Sequence, residues 1–249
     1  NEGVHSGGAS GHVPSSFRIA RKLLSLVEDE NTGEILVDEL HTKIPEHRLK
    51  ETETLVSILG DEVVQEFPWK NDMKPSTNDK VEGVLRRTWR PALSIVGSDG
   101  LPPTANAGNV LRPYTTLQLS MRIPPMVDAK KARDAIKKKL TESIPYEASV
   151  KLHFEEAADG WNAPETSPWL IKAIEKASEN YFDEKPCSIS EGGTIPFMAM
   201  LGERFPNAQF VITGVLGPQS NAHGPNEFLH IPFAKKLTCC ISSIISDFK

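Results

Sequence analysis

Residues 216–232, LGPQSNAHGPNEFLHIP, present one imidazole, His223, from a loop of Gly, Pro, Ser and Asn. Imidazole is the commonest metal ligand among side chains and also a proton shuttle. A polar loop can carry a histidine with no role at all, but one confined to so restricted a turn is a candidate donor to a metal. Three other stretches hold residue types that do chemistry. In GVHSGGASGHVPSS, His5 stands among small residues beside a helix start, where it reads equally well as a plain turn residue. NVLRPYTTLQLSMR ends in Arg122 on a strand, and strand arginines usually face solvent. In SEGGTIP, Glu191 precedes Gly192 and Gly193, and Thr194 leads into a helix. Backbone N–H groups at such a turn can hold a carboxylate or an oxyanion.

Several chemistries are excluded by what surrounds these residues. No G-x-S-x-G turn exists to expose a nucleophilic serine. Cys239 and Cys240 fall in an apolar helix, where thiols behave as small core residues. His223 and His230 lie seven residues apart across a loop, and no H-E-x-x-H or cysteine pair completes a local zinc site. A net charge of −5 leaves no excess of cations to neutralise phosphates, so nucleic acid is not an expected partner. The cationic run Lys130, Lys131, Arg133, Lys137, Lys138 and Lys139 recurs at helical spacing and reads as a solvated helix face. No apolar run reaches the ~18 residues of a membrane span, and no membrane partner is expected. Three cysteines without a framework point to a reducing, cytoplasmic setting.

The elements that must position these residues follow from period and caps. Ser15 or Ser16 starts a helix whose Phe17, Ile19, Leu23, Leu24 and Val27 fall mostly on one side. Further helices are predicted over 46–60, stopped by Gly60, and over 79–89, with a Pro-bearing loop at 67–77 between them. Residues 92–96 read as a strand, 97–108 as a loop, and 115–123 and 149–154 alternate as half-buried strands do. Asp128 caps a Lys-rich helix over 129–143 between those two. Local connections of this kind suggest an antiparallel sheet covered by helices on one face. The texture changes at Trp161: helices at 168–182 and 196–205 precede a near-continuous apolar run at 209–215, which predicts a strand buried on both faces. The His223 loop and a last helix over 232–247 follow.

Taken singly, these stretches do not specify a function; their order does. GVHSG, then N-V-L-x-P with S-x-R-I-P-P, then EGGTIP, then A-H-x-x-N-E before the last helix resembles the M20 family of metallopeptidases. The dipeptidase branch, with the cytosolic nonspecific dipeptidase and carnosinase relatives, is the most similar. The resemblance runs over essentially the whole chain. It implies an α+β lid, or dimerisation domain, over 1–158, built as a four-stranded antiparallel, ferredoxin-like sheet with helices. An α/β segment of a zinc-peptidase catalytic domain follows over 159–249, the N-terminal half of that domain being absent from this chain.

The resemblance also implies roles. His223 matches the last ligand of a two-zinc centre, and an imidazole nitrogen suits zinc. Glu191, Gly192, Gly193 and Thr194 match the loop lining the substrate pocket. Arg122 matches the lid arginine that grips the substrate's terminal carboxylate with its guanidinium fork. His5 matches the lid histidine that supports the oxyanion in the partner subunit's site, and Asn109 stands where lid polar residues cross the dimer. Two positions depart from the dipeptidase branch: Asn109 stands where that branch tends to have Thr, and the lid exit reads EEAADGW without the branch's histidine. The expected cofactor is a zinc pair, with Mn²⁺ as an alternative, and the expected partners are a peptide or N-acyl amino acid and a second copy of the chain. The remaining metal ligands and the general base belong to the absent half. The chain alone is therefore expected to hold no complete zinc pair and to hydrolyse nothing. Its opening on Asn1 rather than Met reads as processing or truncation. A deacylase of the same family and a non-catalytic dimerisation module are the alternatives.

Overall fold

The computed structural model describes residues 2–191 and 196–248. The chain divides into two compact units. One runs to Trp161 and takes in the stretch beginning at Ser190; the other comprises Asn162–Ile189 and the chain from Phe197 onward.

The first unit opens with β1 (Val4–His5), the short α1 (Ser6–Ala9) and α2 (Ser16–Leu24). Of the two candidate serines, Ser15 is the cap: its hydroxyl accepts from Arg18 N–H at 3.2 Å, filling one of the donor vacancies every helix start leaves. Ser16 instead ties the helix to the following sheet, donating to the Arg112 carbonyl at 3.1 Å and sharing a 2.8 Å bond with the Thr115 hydroxyl. Helices α3 (Glu46–Leu59), α4 (Glu62–Gln65) and α5 (Lys80–Thr88) form a satellite cluster around Leu55, Val63 and Val84. Gly60 ends α3 at φ +57°, a backbone conformation glycine adopts without the steric cost a Cβ brings. Asp79 caps α5 by accepting from Val81 and Glu82 N–H.

Strands β2 (Ala92–Asp99) and β4 (Thr116–Arg122) pair antiparallel, and β3 (Val110–Leu111) pairs with β1. The described strands thus form two separate two-stranded sheets, where the expectation was one sheet of four strands. The register of β2 shifts between Ile95 and Gly97, so one residue bulges and the strand carries on through the Gly-containing stretch expected to be loop. Helix α6 (Ala129–Glu142) is capped by Asp128 as its sequence predicts. Its Ala129 N–H is taken at 2.7 Å by Asp159, from the lid-exit stretch EEAADGW. A Cβ at Gly160 would come within 2.9 Å of Pro125 Cα, so the Asp-Gly pair fits where a larger residue would not. The main core, Val27, Ile35, Val37, Leu40, Val127, Ala132 and Leu140, lies in this unit.

Residues 149–154 join no ladder. Their alternation nevertheless survives in burial: Val150, Leu152 and Phe154 are half-buried while Lys151 and His153 are exposed. The period reported which side faces the core, not whether a neighbour strand was in reach.

In the second unit, α7 (Pro168–Phe182) packs on α9 (Ile231–Asp247) through Leu170, Ala173, Ala177, Cys240 and Ile244. Cys240 is thus a core residue, as its setting predicts, whereas its neighbour Cys239 is exposed. Helix α8 (Pro196–Arg204) lies between them in the chain. Residues 209–215 are extended but carry no ladder, and Val211, Ile212 and Val215 are 42%, 55% and 51% exposed. The expectation of a strand buried on both faces is corrected: the segment lacks the flanking strands that would cover it. Among the described residues, no helix is long and apolar enough to cross a membrane.

Two predictions follow from the packing. Leu40 is fully buried in the main core, so Leu40→Ala should cost about 2–5 kcal/mol, whereas Val211→Ser should stay within about 0.5 kcal/mol; denaturant unfolding measures both. Burial opposes ionisation of Glu82, but hydrogen bonds and charge from Arg90 and Arg86 prevail and hold its carboxyl below its ordinary 4.5. A lowered carboxyl stabilises the fold above the unfolded value and ceases to do so as pH falls through the folded one. Glu82→Gln should therefore melt earlier than the parent at neutral pH, with the gap closing as pH drops below 4.5.

Candidate functional site

The His223 loop is closed at its base by two backbone bonds: His230 N–H to the Leu216 carbonyl at 2.7 Å and Phe228 N–H to the Ser220 carbonyl at 3.1 Å. Such a loop with joined ends is a compact surface loop packed by its own groups. Its interior supplies the rest. Buried Ser220 donates to the Gly217 carbonyl at 2.8 Å, and Asn221 Nδ2 donates to the Pro225 carbonyl at 2.6 Å. Four non-glycine residues, Gln219, Asn221, His223 and Asn226, sit at positive φ. A left-handed backbone is uncommon outside glycine, though Asn and His tolerate it better than most. Concentrated strain of this kind persists only where the surroundings over-determine it, and it collects at functional sites. At Gly217, φ is +90° and a Cβ would lie 2.7 Å from His230 Cβ, so the loop can start there only with glycine.

His223 itself is fixed through its backbone. The Glu227 carboxylate accepts its N–H at 2.9 Å, which leaves the imidazole free to project from an exposed position. His230 is engaged differently: its Nδ1 accepts Phe233 N–H at 3.1 Å and caps α9. The loop therefore presents one imidazole with its acidic neighbour already used as a brace. Among the described residues, no group of three or more His, Cys, Asp or Glu side chains could hold a metal ion. Zinc sites commonly use three or four protein ligands, so the described residues of this chain do not by themselves fit a resident metal.

The candidate residues of the first unit fall into two places. His5 and Asn109 come together on the β1–β3 ribbon: His5 registers with Val110, and Ser6 N–H donates to the Asn109 carbonyl at 2.9 Å. The sequence stretches that hold them are about a hundred residues apart, and only the strand pairing joins them. The His5 ring lies over Gly7, where a Cβ would be 2.8 Å from its Cε1. Arg122 ends β4, opposite Ala92, on the other sheet. It lines a cavity of about 890 Å³ together with Arg133, Lys151, His153 and Leu152. Glu191 is exposed in the stretch that returns to this unit; Gly192, Gly193 and Thr194 lie outside the described residues. His223 belongs to the second unit.

Two residues that shape the site went unassigned from sequence. Glu227 was visible as an acid near the histidine, but its use as a brace on the backbone was not. Trp89 is buried in the first unit, and its indole N–H donates to Ser190 Oγ at 3.4 Å across 101 positions of chain. No local pattern signals a contact of that range.

A sequence model of peptidase family M20/M25/M40 matches residues 8–247. Among curated proteins, the chain is 22% identical over 244 residues to the cysteinylglycine-S-conjugate dipeptidase of Corynebacterium striatum, covering 93% of this chain and 50% of the relative. Among solved structures it resembles human carnosine dipeptidase 1 (TM-score 0.67, 18% identity), covering 99% of this chain and 52% of that one. The di-peptidase Dug1p of Saccharomyces cerevisiae gives a TM-score of 0.70 at 20% identity, covering 98% and 51%. The fold is likewise similar to the M20 family metallo-carboxypeptidase Sso-CP2 of Sulfolobus solfataricus (TM-score 0.67, 18% identity, 98% and 55% covered). The chain spans about half the length of the proteins it matches.

The brace makes a prediction. Glu227→Ala should speed amide hydrogen exchange at His223 by roughly three- to tenfold, the scale of one hydrogen bond. Glu227→Gln keeps an acceptor oxygen and should leave that exchange near the parent value.

Proposed function

The chain belongs to peptidase family M20/M25/M40, and on that premise we propose that it is the lid (1–158) and the C-terminal catalytic part (159–249) of a metal-dependent dipeptidase. The observation that carries this reading is the His223 loop, whose closure, brace and strained backbone present one imidazole from a fixed base. In the assembled enzyme His223 is one ligand of a zinc pair; the remaining ligands and the general base come from outside this chain. The dipeptidase named in the curated match supports the substrate class.

The other residues have tasks that need no metal. Arg122 binds the terminal carboxylate of the substrate through both oxygens, in a cavity that Arg133 and Lys151 also line. The role of a substrate loop falls to Glu191, Gly192, Gly193 and Thr194 by their match to the family motif. His5 serves a partner subunit by supporting the oxyanion that forms as the peptide carbonyl is attacked, and the exposed β1–β3 ribbon with Val4, Val110 and Asn109 supports a lid-to-lid homodimer. Asn109, where the dipeptidase branch tends to have Thr, favours a second reading, an N-acyl amino acid deacylase. The incomplete donor set favours a third, a dimerisation module without catalysis.

Assays with Cys-Gly and with N-acyl amino acids separate these readings. The chain alone, with Zn²⁺ or Mn²⁺ added, should show no turnover on either; turnover would overturn the assignment of the missing ligands. A longer polypeptide that supplies the remaining half should cleave Cys-Gly, and Arg122→Ala in it should lower kcat/KM roughly 10- to 100-fold, the worth of hydrogen bonds to a charged group. Preference for the N-acyl substrate would favour the deacylase.

A further inference from the structure

Trp89 is 3% exposed, and a buried indole N–H needs an acceptor. Its partner is Ser190 Oγ at 3.4 Å, a long bond but a directed one. The tryptophan is itself held firmly. It sits at the C-terminal cap of α5, where its N–H and that of Arg90 both donate to the Leu85 carbonyl. Arg90, just past the end of α5, then forks onto Glu82 of that helix at 2.7 and 2.9 Å. Residues 187–189, which lead to Ser190, are exposed and carry no regular structure. Ser190 is half-buried, and with Glu191 it groups with the first unit rather than the second.

From this arrangement we infer that Trp89 is a positioning residue for Glu191: its indole pins Ser190, and so fixes where the adjoining acidic residue of the substrate loop stands in the lid unit. The inference rests on the reading of Glu191 as a substrate-loop residue. A rigid helix end acting through a neighbouring serine removes rotational freedom from an otherwise exposed approach to the loop. Pre-organisation of this kind lowers the ordering cost that substrate binding would meet. The bond is neutral and long, so its effect is modest and falls on binding rather than on the chemical step.

The test has two parts. In this chain, the Trp89 indole N–H resonance should move upfield in Ser190→Ala and stay near the parent position in Ser190→Thr, which keeps the hydroxyl. The heteronuclear NOE of the Glu191 amide should fall in Ser190→Ala and in Trp89→Phe and be retained in Ser190→Thr, while amides of α3 and α5 stay unchanged. An unchanged Glu191 amide in both variants would overturn the inference, and so would equal loosening of α3 and α5, which marks a packing role alone. In the longer polypeptide, Ser190→Ala and Trp89→Phe should each raise KM about three- to tenfold with kcat little changed. The double variant should be no worse than either single one, as expected for two ends of one contact. Additive losses would contradict the coupling. A longer polypeptide with no peptidase activity would sink the proposed function and leave the spectroscopic test to judge Trp89.

Discussion

The 2.7 Å bond from His230 N–H to the Leu216 carbonyl sets the terms for the functional part of this chain. It joins the end of the extended 209–215 segment to the start of α9, so the residues between must turn back on themselves. Positive φ at Gln219, Asn221, His223 and Asn226 is the consequence of that closure. The Glu227 carboxylate then accepts the backbone N–H of His223. The backbone of His223 is held this way by the loop itself, and its imidazole stays exposed.

The first unit brings distant residues together by the same means. His5 and Asn109 are brought together by a two-residue strand pairing, and Gly7 leaves room for the His5 ring. Arg122 is placed by the β2–β4 pairing, whose bulge near Gly97 absorbs a register shift. Trp89 reaches across the chain from the end of α5 to Ser190. In each case a backbone or buried contact holds the neighbour of the functional side chain, and the functional group itself stays exposed.

Helices were largely legible in the sequence because their signals are local. Asp128 caps the helix it was expected to cap, and Gly60 ends α3. Strands were legible when their partner lay in the same part of the chain, as with β2 and β4. Residues 149–154 and 209–215 were not, for one physical reason: alternation or an apolar run encodes which faces want burial, whereas a ladder also needs a neighbour. The half-burial of Val150, Leu152 and Phe154 shows the pattern outlasting the missing pairing, whereas Val211 and Ile212 are left exposed. The family was legible from the order of four motifs. The brace by Glu227 and the reach of Trp89 were not, since neither leaves a trace in spacing.

The central claim is that this chain contributes one metal donor and not a metal site. Calorimetric titration of Zn²⁺ into the chain at micromolar concentration, beside His223→Ala, tests it most directly. The account predicts no stoichiometric uptake of a zinc pair by either protein. Tight binding of two zinc ions per chain, abolished by His223→Ala, would contradict it.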